Sequence, residues 1–469
     1  MTQGGSPARH LVVLGGGITG LAAAWEASAD PGVRVTVLEA SSRFGGKVRT
    51  STLDLPTGPL VVDEGADNFL ARVPDAVDLC TELGLGDELT QPALGRAQVW
   101  ARDGLRWYPP RHVLGVPLDI DELAATGILS DDGLAAAAAE VDRTDDAPSG
   151  DVTIGGFLSD RFGPELVEHV VGPLVGGINA GDVHELSMRA VTPQLADAAA
   201  EGGSLTLALR RRIAAAPPTG PVFRALLGGT ERMVYALVEQ LRGGGADLRT
   251  DATATSCRTT AEGTAVVTLA DGTELDADAV VVALPAEAAA AVLRDASASA
   301  ARELDRIVNV PVAFVAFAVR RTDVPVPLDA SGVLVPRDAG LLMTAASFGS
   351  LKWPQWDDGI HVILRVAAGH RHDDRPSQMD DDELVAALRS DLSTVLGITA
   401  DPVATRVTRW TPGFAQYEVG HLERVERIDA ALAADAPAVR VAGADLGGLG
   451  VPACIRQGRD AARALLSGP

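Results

Sequence analysis

The chain has 469 residues, a formal net charge of −23 and three cysteines. That acidic balance argues against a nucleic-acid partner and against docking on a generally anionic membrane surface. The length implies two or three subdomains, no apolar run reaches the ~18 residues of a membrane-crossing helix, and Cys80, Cys257 and Cys454 are scattered without metal-ligand spacing.

Met1–His10 leads straight into a strand with no signal-peptide pattern, so a cytoplasmic protein without structural disulfides is expected. Leu11–Leu14 reads as a buried strand, Gly15, Gly17 and Gly20 fit G-x-G-x-x-G, and Leu21–Ala29 reads as a small-residue helix. Pro31-Gly32 breaks that helix, and Val33–Leu38 is a second strand ending at Glu39. Such glycines let backbone approach a pyrophosphate at a helix N-terminus, and an acid about 20 residues on takes the ribose hydroxyls. Arg43 and Gly45-Gly46 then form a second glycine turn. A nicotinamide enzyme needs nothing there; a protein housing the longer flavin cofactor does.

Leu60–Val62 is a strand followed by a turn of acids and small residues, Asp63–Phe69, then a helix over Pro74–Gly84 and a hairpin over Gln98–Pro109. Residues 119–151, rich in Asp and Ala, predict a solvated helix and linker with disorder near 145–150. Ile154–Leu174 has helical spacing, interrupted by Gly176–Gly181. A helix after Gly228-Gly229, a strand over Asp247–Cys257, a hairpin about Asp271-Gly272 and a buried strand at Ala279–Ala283 follow. Residues 308–368 are mostly strands, Asp380–Val395 is a helix, and Ala438–Ala442 is a last parallel strand before a helix starting near Pro452. That helix N-terminus, set in LGGLGVP, would point N–H groups at an electron-rich edge such as the flavin pyrimidine carbonyls. The chain carries a single dinucleotide fingerprint, whereas reductases fed by NAD(P)H usually carry two. Electrons therefore enter from the substrate and leave to another acceptor, most simply dioxygen. Only Lys47 and Lys352 among the basic residues are lysines, and both fall inside motifs.

Together Gly15–Gly20, Glu39, Gly45-Gly46-Lys47, the Gly65 turn and Gly443–Cys454 resemble the protoporphyrinogen/coproporphyrinogen oxidase family of the FAD-dependent amine oxidase superfamily. Gly176–Asp182 with Glu185-Leu186-Ser187, Leu227-Gly228-Gly229, and Ser347–Pro354 (SFGSLKWP) agree, the last most like the Gram-positive, coproporphyrinogen-oxidising branch. The resemblance implies an α/β fold: a discontinuous Rossmann-like FAD-binding domain (1–95, 222–300, 436–469), a mixed-sheet substrate domain (96–110, 301–435) and a helical subdomain (111–221). It implies FAD contacts from Gly15, Gly16, Gly17, Ile18, Thr19, Gly20, Glu39, Ala40, Lys47, Gly65, Ala66, Asp67 and Asn68. Ala254 toward adenine, Ala444, and Leu449, Gly450 and Val451 at the isoalloxazine complete the set. Relatives often carry Gly-Pro where this chain has Gly65-Ala66, so a less rigid turn is expected. LGGLGV lacks the attachment cysteine of covalent relatives, so the FAD should be non-covalent.

For the substrate, the resemblance implies a porphyrinogen oxidised by hydride transfer from a meso carbon to flavin N5, with hydrogen peroxide formed from dioxygen and no dedicated catalytic side chain. Arg96 and Lys352 are expected at propionates, Gly177 and Ile178 over the ring, and Leu334, Phe348 and Val366 as apolar walls. Phe348, Leu334 and Val366 are equally well explained as core, and His184, His361 and His421 as surface or structural residues. The resemblance also implies a transient contact with ferrochelatase, and leaves open a peripheral membrane contact. The alternatives are protoporphyrinogen IX oxidation, an amine oxidase, a desaturase, or a flavoprotein without activity.

Overall fold

The structure, a computed structural model, describes residues 9–216 and 220–467. The expected absence of a signal peptide rests almost wholly on residues 1–8 and lies outside that range. Five parallel strands form one sheet in the order Asp247–Arg249, Val33–Leu38, Arg9–Leu14, Ala279–Val282, Val439–Val441. Leu11–Leu14 is fully buried, as a parallel strand covered on both faces must be. Helices Ile18–Ala27, Glu231–Gly243 and Val451–Leu466 cover one face. The other is covered by helices Ala286–Leu293, Ala298–Leu304 and His421–Asp435 and by an antiparallel sheet of Ala254–Thr259, Ala265–Leu269 and Glu274–Ala277.

A second, seven-stranded sheet runs Ala404–Ala415, Asn309–Arg320, His361–Ala368, Met343–Phe348, Gly332–Leu334, Gln98–Ala101, Gly104–Trp107. Its pairs are antiparallel except Gly332–Leu334 beside Gln98–Ala101. Because side chains alternate across a pleat, the register sorts its residues. Phe314, Ala367, Ala345 and Leu334 stand opposite one another on one face, and Val315, Val366, Ala346 and Val333 on the other. The second group, with Phe317, Leu364 and Phe348, packs under helix Asp381–Leu396, which starts in an Asp380/Glu383 capping box and stops at left-handed Gly397.

Residues 120–215 are largely helical. Helix Ile154–Phe162 ends at Gly163, and Val167–Gly176 winds as a π-helix around Pro173, which a 3.6-residue period could not foretell. The segment closes at Ala180, held left-handed at φ 46°.

Two expectations are corrected. Asp247–Cys257 is not one strand: Asp247–Arg249 joins the parallel sheet and Ala254–Thr259 the antiparallel one. Residues 119–151 keep an exposed linker over much of 142–150, but the helical part before it is not fully solvated, because Glu140 is fully buried. It pairs with Arg161 at 3.3 Å and accepts from Ser204 Oγ and from the Leu205 and Thr206 amides, capping helix Leu205–Ala215. The carbonyl of Asp145 accepts from Gly203 N at 2.7 Å, which anchors the stretch expected to be disordered. No helix among the described residues is long and apolar enough to cross a membrane.

Helices Ile18–Ala27 and Val451–Leu466 touch at Gly458, where an added Cβ would lie 2.1 Å from the Thr19 carbonyl oxygen. Gly458→Ala is therefore expected to destabilise the protein by about 1–3 kcal/mol, read as a lowered thermal midpoint; an unchanged midpoint would mean that this contact does not hold the helices together.

Candidate active site

The C-terminal edge of the parallel sheet carries two helix starts. Gly17 caps Ile18–Ala27 and Gly450 caps Val451–Leu466, neither with a side-chain hydrogen bond or an acid in its first turn. Their N–H groups are left for a ligand, and the dipole favours an anion or electron-rich group. A Cβ added at Gly17 or Gly443 would meet nothing within 4 Å, and one at Gly450 only Pro452 Cδ at 3.7 Å. The remaining glycines are packed. Gly20 would strike the Gly15 carbonyl oxygen at 1.9 Å, and Gly45 and Gly17 pair as a bridge that draws the second turn onto the first. Glu39 fixes this edge: it accepts from Gly16 N and from Ser41 N, each at 2.8 Å. The backbone of 249–252 pairs with that of Glu39, which brings Ala254 within a few residues of the acid.

This open, glycine-lined groove between two uncapped helix starts suits an extended dinucleotide. Lys47 donates to the Gly413 carbonyl; burial pulls its ammonium below its usual range while Asp445 and Cys454 oppose that.

The Gly65–Asn68 turn closes the groove. A Cβ at Gly65 would fall 1.9 Å from the Lys47 carbonyl oxygen, Trp410 Nε1 donates to Glu64 O at 3.3 Å, and Glu64 pairs with Arg49 at 3.0 Å. Ala66 in place of proline therefore leaves no loose turn. The second turn, Gly443–Gly450, is braced by residues that carried no sequence signal. Tyr417 Oη accepts from Gly448 N at 2.7 Å and donates to Ala444 O, and His421 Nε2 meets Leu446 O at 2.8 Å with its ring stacked on Tyr417. Asp445 accepts from Ala286 N and Asn309 Nδ2. Burial pushes the Cys454 thiol up to about 11, so it stays protonated and poorly nucleophilic.

Facing this groove is the open face of the seven-stranded sheet. Leu334, Ala345, Ala367 and Phe314 are half-buried there, and a narrow cavity separates Gly176-Gly177 from Val335, Thr344 and Gly369. Gly177 is exposed and Ile178 is 57% exposed, while the carbonyls of Gly176, Asn179 and Ala180 are taken by Gly181, Gln416 and Arg371. Phe348 and Val366, expected as walls, lie on the opposite face under helix Asp381–Leu396; they are core. Arg96 is exposed with its guanidinium 4.5 Å over Trp107. Lys352 stands 5.1 Å from Trp353 and 5.6 Å from Phe223, and its carbonyl accepts from Ala93 N. By register Trp107 shares the covered face with Gln98 and Val333, so Arg96 stacks there and not on the face of Leu334 and Ala367. Arg365, a lone charge in HVILRVAA, lies on the open face and was missed. His184 is half-exposed beside Glu168, and His361 is buried against Asp358. Among the described residues no His, Cys, Asp and Glu group could hold a metal ion.

The chain is similar to known proteins over nearly its whole length. The family model of flavin containing amine oxidoreductases matches residues 18–466. The chain is 34% identical to a coproporphyrinogen III oxidase of Propionibacterium freudenreichii, covering 97% of this chain and 90% of the relative. It is 31% identical to that of Bacillus subtilis, with 97% of each covered. A solved Exiguobacterium structure, provisionally described as a protoporphyrinogen oxidase, superposes with a TM-score of 0.88 at 28% identity, covering 99% of this chain and 100% of that one.

Behind the Gly65 turn, burial pushes the Asp63 carboxyl up to about 6, against acceptance from Thr50 and Thr230 N. The unfolded carboxyl titrates near 3.8, so the folded state binds this proton more tightly and gains stability as pH falls through 6 toward 4. Between pH 7.5 and pH 5 the stability of the wild type relative to Asp63→Asn should rise by about 1.4 kcal/mol in denaturant titrations; a constant difference would contradict the assignment.

Proposed function

The chain belongs to the flavin containing amine oxidoreductase family, and on that premise we propose that it is a coproporphyrinogen III oxidase of haem biosynthesis. The observation that carries the reading is the groove itself: two uncapped helix starts and open glycine faces lie opposite the half-buried apolar face of the seven-stranded sheet. FAD, the cofactor of the family, supplies two-electron acceptor chemistry when bound there.

The chain's own residues bind and orient. Gly15–Gly20 and the start of helix Ile18–Ala27 would hold the pyrophosphate, Glu39 the ribose, Ala254 the adenine edge, and Ala444 with Leu449–Val451 the flavin end. The buried, protonated Cys454 thiol supports a non-covalent attachment. Leu334, together with Phe314, Ala345 and Ala367, would flank the flexible tetrapyrrole and exclude water. The exposed Gly177 and Ile178 would present carbonyls to pyrrole N–H groups. Arg96, exposed and without a carboxylate partner within 4 Å among the described residues, suits a propionate through its planar fork.

The substrate preference rests on the coproporphyrinogen III oxidase relatives, at 31% and 34% identity over nearly the whole chain. The chemistry needs no protein acid or base: pyrrole protons leave to solvent. Dioxygen would be the terminal acceptor, reduced to hydrogen peroxide, since a single dinucleotide fingerprint leaves no second nucleotide site. The product keeps its propionates and would pass to a ferrochelatase.

Glu39→Ala should weaken FAD retention by about tenfold or more, since a charge-assisted hydrogen bond is worth ~1.5–3 kcal/mol; unchanged affinity in equilibrium titrations removes Glu39 from the site. Turnover of the two porphyrinogens, compared side by side, should give the higher kcat/KM to coproporphyrinogen III, and Arg96→Ala should raise its KM more than it lowers kcat. A preference for protoporphyrinogen IX would overturn the substrate assignment and leave a flavin oxidase.

A further inference from the structure

Arg365 interrupts an otherwise apolar strand and faces the substrate side, opposite Ala316 and Ser347. Its side chain is only 11% exposed. One arm of the guanidinium donates to the Gly65 carbonyl, the other lies 3.4 Å from the Asp67 carboxylate, and the group sits 4.2 Å from the Phe314 ring centroid. Its Nε is buried without a partner. Asp67 also accepts from Trp353 Nε1 at 3.3 Å. Burial pushes the Asp67 carboxyl up, but Lys352 and Arg365 outweigh it and hold the group below its usual range. One guanidinium from the seven-stranded sheet thus grips two residues of a turn that follows the hairpin of the other domain. A lysine has no fork with which to hold a carbonyl and a carboxylate at once.

We propose that Arg365 is a positioning residue: through Gly65 and Asp67 it registers the Gly65–Asn68 turn against the substrate sheet, so that cofactor and apolar wall keep one separation. The proposal rests on the reading above that this turn touches FAD. Truncating Arg365 lets the turn drift and leaves a buried carboxylate with one cation instead of two; removing both charges relieves the second penalty and not the first.

The test is a titration of FAD into apoprotein of the wild type, Arg365→Met, Arg365→Lys and the Asp67→Asn/Arg365→Met double variant. Flavin fluorescence gives Kd, the visible circular dichroism of bound flavin reports its surroundings, and the melting temperature of each apoprotein reports folding separately. Arg365→Met should raise Kd about tenfold and alter the flavin dichroism, with Arg365→Lys in between and the double variant no weaker than Arg365→Met. A Kd within about twofold of wild type and unchanged dichroism in a folded Arg365→Met would overturn the proposal. If Arg365→Met does not fold, the same result in Arg365→Lys, which keeps the charge and loses the fork, overturns it. Wild-type protein that binds no FAD overturns the cofactor reading, and this proposal with it.

Discussion

Helix Val451–Leu466 brings its N-terminus beside that of helix Ile18–Ala27 because position 458 carries no side chain, so that the Thr19 carbonyl occupies the space a Cβ would fill. Pieces from opposite ends of the chain are thereby set side by side on one edge of the parallel sheet. Two positive helix ends then face the same groove without side-chain caps to occupy them. The rest of the site follows from that placement. Glu39 anchors the first turn, Tyr417 and His421 brace the last, and Asp445 ties that last turn to Ala286 and to Asn309 at the start of the substrate sheet.

The second sheet supplies what the first lacks. Its covered face is sealed by helix Asp381–Leu396, so its open face can remain apolar and half-buried while looking onto the groove. Charge enters that face sparingly. Arg365 is spent on the neighbouring turn, whereas Arg96 stacks on Trp107 of the covered face. The Lys352 ammonium helps to hold the Asp67 carboxyl low, while its backbone carbonyl accepts from Ala93 N.

The nucleotide end was legible because its signals are local. A glycine turn, a helix and an acid at fixed spacing need no long-range information, and Val33–Leu38 falls where the Pro31-Gly32 break placed it. The substrate wall was not. Strands such as Asn309–Arg320 are almost continuously apolar, so their composition cannot say which face a residue takes. Register decides it, and it puts Phe314 and Ala367 on the wall but Val366 and Phe348 in the core. Glu140 was misjudged for the opposite reason: its acidic neighbourhood reads as solvated, while its buried partners Arg161 and Ser204 lie more than twenty residues away. Arg365 did leave a mark, a single charge inside HVILRVAA, because a buried cation in a strand needs a partner that only another element can bring.

The central claim is that one groove holds FAD against a wall shaped for coproporphyrinogen III. An anaerobic mixture of the flavin-loaded protein with a substoichiometric amount of coproporphyrinogen III tests it most directly. The visible flavin band should bleach as the absorption of coproporphyrin appears, and should return when dioxygen is admitted. A flavin band that stays intact while coproporphyrinogen III is present would contradict the account.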